Sequence, residues 1–264
     1  MNKNKIAIFI DSFDGYSDIW PTFFKIFDKY WGKCPYNKYL VTNEKSYSYK
    51  GLKLIKTGPE KNWFDRTSKA LEQVKEDYII FMLEDYFVSK FYNSDIINSI
   101  IERMQNENIY YYQLSGNSKL EKDQQFIQQK LEYPISLQLT IWHKEEFKKS
   151  VQEAYNNGAK TPWEFEKYFI DKFKDEKNCP KGVAYDTRDV MGYKNGVIQG
   201  KWYPKTINFY KRQDIVIDII DRKVMTKNEV FKYESKVAIS GILPTTLKNG
   251  LKKILRKFGF KFVI

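Results

Sequence analysis

The unbroken apolar run Ile6 to Ile10 stops at Asp11-Ser12, as a strand buried on both faces does. An aromatic amphipathic segment follows from Ser17 to Trp31, with Ser17 placed to cap a helix and Pro21 in its early turns. Tyr39-Leu40-Val41 ends in Thr42-Asn43, and Leu52 to Ile55 ends at Gly58-Pro59; both read as short strands. Trp63 to Val74 has a helical period, and Tyr78 to Leu83 is the most apolar strand, running straight into Glu84-Asp85-Tyr86. A helix over Ser94 to Gln105 leads to a strand at Ile109 to Leu114, and a further apolar strand covers Ile135 to Trp142. Strand–helix alternation of this kind builds a mainly parallel central sheet flanked by helices. Beyond Arg212 the pattern loosens into polar helical stretches and a basic tail. The expectation is one α/β domain over 1–212 and a C-terminal helical extension over 213–264.

Composition narrows the chemistry. Of 264 residues, 42% are hydrophobic and 17% aromatic, which supplies a sizeable core and excludes a disordered chain. Two cysteines, Cys34 and Cys179, build neither a disulfide framework nor a four-thiolate zinc site. A single histidine, His143, excludes multi-histidine metal centres and reads as a surface residue. The formal charge of +12 points to an anionic partner. At the N-terminus Asp11 breaks the apolar run before the roughly seven residues that a secretion signal needs. No window approaches the roughly 18 uninterrupted apolar residues of a membrane span. A cytoplasmic protein is expected.

Ligands of parallel sheets bind beyond the carboxyl ends of the strands. Those ends here carry Asp11, Ser12, Asn43, Glu84 and Asp85. Polar residues also mark where any strand leaves the core, so position alone does not make a site. The neighbours add to it. The N-terminal strand, the helix start Trp63-Phe64-Asp65-Arg66, the run Leu83-Glu84-Asp85-Tyr86-Phe87 and the hexapeptide Thr161 to Glu166 resemble a nucleotide-sugar-dependent glycosyltransferase of the GT-A fold. More narrowly, they are similar to bacterial enzymes of capsule and O-antigen assembly. The resemblance covers residues 5 to 205 and implies a GT-A-like (Rossmann-like) domain. It implies a nucleotide-sugar donor, for instance UDP-linked, held by Asp11, Ser12, Asn43, Arg66, Glu84, Asp85 and Lys201. It also implies Mg²⁺ or Mn²⁺ on Asp85, a hard cation on a carboxylate. The chain departs from the family's Asp-X-Asp element. Aligning Asp85 with its last aspartate puts Leu83 at the first, and aligning Glu84 with its first puts Tyr86 at the last.

Two cations have two readings each. Arg66 borders the apolar face of Trp63, Thr67, Ala70 and Val74, where its planar fork can reach phosphate or its stem can cover apolar surface. Lys201 lies in Gly196-Val197-Ile198-Gln199-Gly200-Lys201-Trp202, either a loop closing over the diphosphate or a plain turn.

The hexapeptide is the most informative segment. Thr161 caps a helix, Pro162 suits its first position, and Glu164 returns to the cap as in a capping box. With Trp163 at zero, Phe165, Phe169, Phe173 and Ile170 fall at roughly 200°, 240°, 280° and 340°, and Glu166 near 300°, inside their arc. A carboxylate on an apolar face is costly unless it is paired or functional. Sugar transfer with inversion needs a carboxylate to take the acceptor's proton. The resemblance puts an acidic residue of that role at a helix start here, so Glu166 is the candidate base. The alternative is a buried Glu–Lys or Glu–Arg pair. Trp142 and Trp163 are candidates for a sugar platform, and Gln138 for a contact to the donor sugar.

Residues 245 to 264 hold Lys248, Lys252, Lys253, Arg256, Lys257 and Lys261 and no acid. Leu247, Leu251, Ile254, Leu255 and Phe258 keep helical spacing, so basic and apolar faces separate. Such a helix suits the anionic inner surface of the cell membrane, beside a saccharide or lipid-linked oligosaccharide acceptor; docking on the domain is the other reading. Two competing classes remain. A single-stranded nucleic-acid binder would explain the charge and twenty tyrosines, yet no zinc-finger, RNA-recognition or helix-turn-helix signature is present, and nucleic acid is not expected as a partner. The other is a non-catalytic carbohydrate-binding assembly protein.

Overall fold

Six consecutive residues of β1 (Ile6–Asp11) are buried, and this determines where the strand sits. Only an interior strand with helices on both faces hides every side chain. A computed structural model of the chain describes residues 5–115 and 124–242, with side chains up to residue 238. The basic tail over 245–264 lies outside the described residues. The chain forms two compact units, 1–194 and 195–264, a division ahead of residue 212, where the sequence pattern loosens.

In chain order the first unit contains β1, α1 (Trp20–Trp31), β2 (Asn37–Thr42), β3 (Leu52–Lys56), α2 (Trp63–Leu71), β4 (Tyr78–Leu83) and β5 (Tyr86–Val88). It continues with α3 (Ser94–Asn106), β6 (Tyr111–Gln113), β7 (Thr140–His143), α4 (Lys144–Asn156), α5 (Pro162–Lys172) and β8 (Val183–Tyr185). The sheet has seven strands in the order β3-β2-β1-β4-β7-β6-β8. All neighbours are parallel except at β7, which runs antiparallel to β4 and to β6. The expected mainly parallel α/β architecture is what the chain adopts.

Alternation along the strands sorts side chains onto two faces. Ala7, Phe9, Tyr39, Val41, Ile79, Phe81, Tyr111 and Trp142 share one core cluster with Trp63, Phe64, Ala70 and Leu71 of α2, Phe147 and Val151 of α4, and Phe165 and Phe169 of α5. Helices α1 and α3 belong to the other layer, where Trp31 Nε1 donates to Ser94 Oγ at 3.1 Å. In register Asp11 lies opposite Leu83, so β1 and β4 end together and bring Asp11 beside Glu84-Asp85.

Three expectations shift. Helix α1 begins at Trp20, because Asp14–Tyr16 form a 3-10 turn and Ser17 follows that turn instead of capping α1. The apolar segment Ile135 to Trp142 is strand only from Thr140. Ahead of it the Ser136 backbone N–H donates to the Tyr111 hydroxyl and the Leu137 N–H to Glu166, so neither joins a ladder. In the second unit, Gly196 to Trp202 is a hairpin. The chain enters it from β9 (Tyr193–Asn195), and β10 (Val197–Ile198) pairs with β11 (Lys201–Trp202). Gln199 and Gly200 both have positive φ, 52° and 75°, as a type I′ turn requires. Helices α6 (Pro204–Lys211) and α7 (Lys227–Ile242) follow. Among the described residues no helix is long and apolar enough to cross a membrane.

Helix α2 carries Trp63 and Arg66 to the sheet edge and starts on Asn62, whose side chain accepts the Asp65 N–H at 3.0 Å. Asn62→Ala should cost about 1 kcal/mol by thermal or denaturant unfolding, and Asn62→Asp much less.

Candidate active site

At the carboxyl edge of the sheet a polar chain begins at Asp11, which is 1% exposed. Its Oδ2 accepts the Trp63 indole N–H at 2.5 Å, and its Oδ1 lies 3.5 Å from Arg66 Nε. Burial pushes the Asp11 carboxyl up, against the pull of Arg66 and Trp63. Arg66 Nη1 meets Glu60 Oε1 at 2.5 Å, and Glu60 Oε2 accepts from Asn43 Nδ2 at 2.8 Å. Asn43 in turn exchanges two hydrogen bonds with Asp14, whose Oδ2 also accepts the N–H groups of Glu44 and Lys45. The loops after β1 and β2 are thus one hydrogen-bonded unit with the start of α2.

Arg66 is buried and held on two sides, with its guanidinium carbon 5.4 Å from the Phe13 ring centre. Among the described residues Nη2 has no protein partner, so one edge of the fork stays available to a ligand. The fork reading is therefore open to Arg66, and the stem reading does not describe it.

Glu84 and Asp85 form the turn between β4 and β5. Glu84 is buried, and burial followed by the charge of Asp85 raises its carboxyl well above the usual range. Behind them the Tyr86 and Tyr193 rings lie 4.5 Å apart. Burial raises the Tyr86 phenol, with further contributions from the charges of Tyr193, Asp85, Glu166 and Glu84.

On α5 the capping box forms as expected. Glu164 N–H donates to Thr161 Oγ1 at 3.2 Å, while Glu164 Oε2 accepts the Thr161 and Lys160 N–H groups at 3.1 and 2.8 Å. Those backbone donors hold the exposed Glu164 below the usual carboxylate range. Glu166 differs in every respect. Its Oε1 accepts the Leu137 N–H at 2.7 Å and the Ser136 hydroxyl at 3.0 Å, and burial outweighs both and raises its carboxyl. Among the described residues no cation pairs with it; the nearby Lys167 and Lys172 pair with Asp171 and Glu153 instead.

Other candidates fall elsewhere. Trp142 is fully buried in β7, its ring 4.8 Å from those of Tyr111 and Phe147, so it cannot serve as a sugar platform. Trp163 is 64% exposed at the start of α5. Gln138 is exposed beside Ser136, to whose Oγ its N–H donates at 3.2 Å. Ser12 is buried and its Oγ accepts the Trp20 indole N–H at 2.8 Å. Lys201, in the second unit, is ion-paired with Glu229. Among the described residues no three His, Cys, Asp or Glu side chains stand close enough to hold a metal, so Mg²⁺ or Mn²⁺ on Asp85 does not fit this donor set by itself.

Glu60, Ser136 and Tyr86 escape sequence reasoning. Glu60 sits in a loop after Gly58-Pro59 with no periodic signal, and Ser136 hides in an apolar run that imitates a strand.

No protein-family model matches the sequence. No curated protein matches it either. Among solved structures, the chain is similar to S. aureus TarS 1–349 at TM-score 0.41 and 12% identity, covering 69% of this chain and 60% of that one. It is similar to 4-diphosphocytidyl-2C-methyl-D-erythritol synthase from Anaerococcus prevotii at TM-score 0.46 and 8% identity, over 81% and 98% of the two chains. CMP:2-keto-3-deoxy-manno-octonic acid synthetase complexed with CTP gives 0.46 and 11%, over 80% and 100%. At these scores the likenesses describe the chain path only.

The raised carboxyl of Glu84 has a consequence for stability. Between the unfolded value and the raised folded value the native state keeps a proton that the unfolded state has lost, so stability falls as pH rises through that window. Glu84→Gln should therefore raise Tm at about pH 8, and the gain should shrink towards about pH 4. Thermal melts of both proteins across that range check it.

Proposed function

We propose that this protein is a glycosyltransferase that moves a sugar from a nucleotide-sugar donor to a saccharide or lipid-linked acceptor. The observation that carries the reading is Glu166: a carboxylate on the apolar side of its helix, raised by burial, anchored through one oxygen and paired with no cation among the described residues. A carboxylate serving packing alone would be ion-paired or replaced by an apolar residue at lower cost. A raised carboxyl is a better proton acceptor near neutral pH than an ordinary one.

The rest of the edge fits the donor. Carboxylates such as Asp85 accept hydrogen bonds from ribose hydroxyls, and Asn43, tied to Glu60 and Asp14, braces the loops of the same sheet edge. The leaving diphosphate gains negative charge, and the free Nη2 of Arg66 supplies a fixed positive group at the strand ends. Glu166 takes the proton of the acceptor hydroxyl as that oxygen attacks the anomeric carbon from the side opposite the diphosphate, which inverts the centre. In this reading the product is a bacterial surface polysaccharide of the capsule or O-antigen class. The basic tail would hold the enzyme at the inner face of the membrane, where a lipid-linked acceptor is presented.

The test is turnover of a panel of nucleotide sugars. Glu166→Gln keeps the shape and removes the accepting charge, so turnover should fall by about a hundredfold or more with donor affinity nearly unchanged. Glu164→Gln should lose far less, since an amide oxygen still accepts the capping hydrogen bonds. Near-normal turnover in a folded Glu166→Gln protein would remove the base from this helix.

Donor binding is tested separately. Asp85→Ala should weaken binding of UDP, or of whichever nucleotide is cognate, by calorimetry. Undiminished affinity would move the nucleotide away from the β4 end.

A further inference from the structure

Glu166 is held by a segment that is itself held. Its Oε1 accepts two hydrogen bonds, from Ser136 Oγ at 3.0 Å and Leu137 N at 2.7 Å, and its Oε2 accepts none among the described residues. The Ser136 hydroxyl accepts the Gln138 N–H at 3.2 Å, which helps aim its own proton at Glu166. The Ser136 N–H donates to the Tyr111 hydroxyl at 3.0 Å, and Tyr111 is fully buried in β6. One strand further, the Tyr185 hydroxyl of β8 donates to the Pro134 carbonyl at 2.9 Å. Two buried phenols on adjacent strands therefore fix the backbone of 134–136, which carries the donors for one carboxylate oxygen.

Resting on the reading of Glu166 as the base, we propose that Ser136, fixed by Tyr111, is a positioning residue that reserves Oε1 for hydrogen bonds and leaves Oε2 to take the acceptor's proton. In the transfer the acceptor O–H bond breaks and its proton goes to Oε2. The freed electron pair forms the bond to the anomeric carbon, and the anomeric C–O bond breaks with its pair leaving on the nucleotide diphosphate. The resulting carboxylic acid has its O–H at Oε2 and its carbonyl oxygen at Oε1, where both donors still find an acceptor. Protonation at Oε1 would compete with those two donors, so the geometry selects the oxygen as well as the residue. Pinning the segment does not by itself require a carboxylate at 166, because the Tyr111 and Tyr185 bonds fix it at residues 134 and 136.

Each donor favours the charged carboxylate and opposes the effect of burial. Losing the Ser136 hydroxyl should make Glu166 harder to ionise. In the full chain, Ser136→Ala should move the acid limb of the kcat/KM–pH profile up by about one pH unit, about a tenfold loss below the limb. Ser136→Thr, which keeps the hydroxyl, should restore it. Tyr111→Phe should shift the limb in the same direction by less, while Tyr185→Phe should lower Tm and leave the limb in place. A carboxyl ¹³C NMR titration of Glu166 in wild type and Ser136→Ala should show the same upward shift without turnover. If Glu166→Gln is inactive yet neither limb nor NMR titration moves in Ser136→Ala, the positioning role is overturned and the base stands. If Glu166→Gln is active, both fall.

Discussion

The carboxyl edge of the sheet is organised around one buried carboxylate, Asp11. A carboxylate that is 1% exposed at the end of a central strand must be compensated, and here the compensation comes from helix α2 through Trp63 and Arg66. Both lie on one face of α2, three residues apart, so satisfying Asp11 fixes the rotation of the helix over the sheet. Arg66 then needs more anion than Asp11 supplies at 3.5 Å, and Glu60 completes it at 2.5 Å. Glu60 brings Asn43, and Asn43 brings Asp14. One electrostatic debt thus organises three loops at the carboxyl edge. Removing either partner would leave a buried charge, which costs more than the pair contributes.

The readable parts of this fold were those whose signal is local. The strand Tyr78–Leu83 is bounded by its own composition, and the cap at Thr161 by the three-residue spacing to Glu164. The face of α5 was equally legible, because helix period alone puts Glu166 among Phe165, Phe169 and Phe173. What holds Glu166 was not. Ser136 and Leu137 reach it across 30 and 29 residues, and no periodicity encodes that pairing. Trp142 shows the converse limit. Its aromaticity suggested a platform, but β7 lies between β4 and β6, and a residue there faces a layer of helices on either side. Lys201 was ambiguous for a different reason: a glycine pair suits a mobile cover and a type I′ hairpin equally, and the ion pair to Glu229 belongs to the hairpin.

The carboxylates of this region are pushed in different directions by their surroundings. Glu164, exposed and fed by backbone N–H groups, is held low. Asp11 is raised by burial but opposed by a guanidinium and an indole. Glu84 is raised further, because its close charged neighbour, Asp85, has the same sign. Glu166 lies between these extremes: raised by burial, moderated by two neutral donors, and next to no paired cation among the described residues. A neutral donor stabilises the anion without neutralising it, so the charge remains able to accept a proton, whereas a lysine in the same place would hold that charge in an ion pair. Environments that push carboxyl groups apart are how a site assigns separate roles to chemically identical side chains. By that criterion, and in the proposed reading, Glu166 suits the part of the group that changes its proton, because two neutral donors moderate its raised carboxyl while Asp11 is anchored by Arg66 and Trp63.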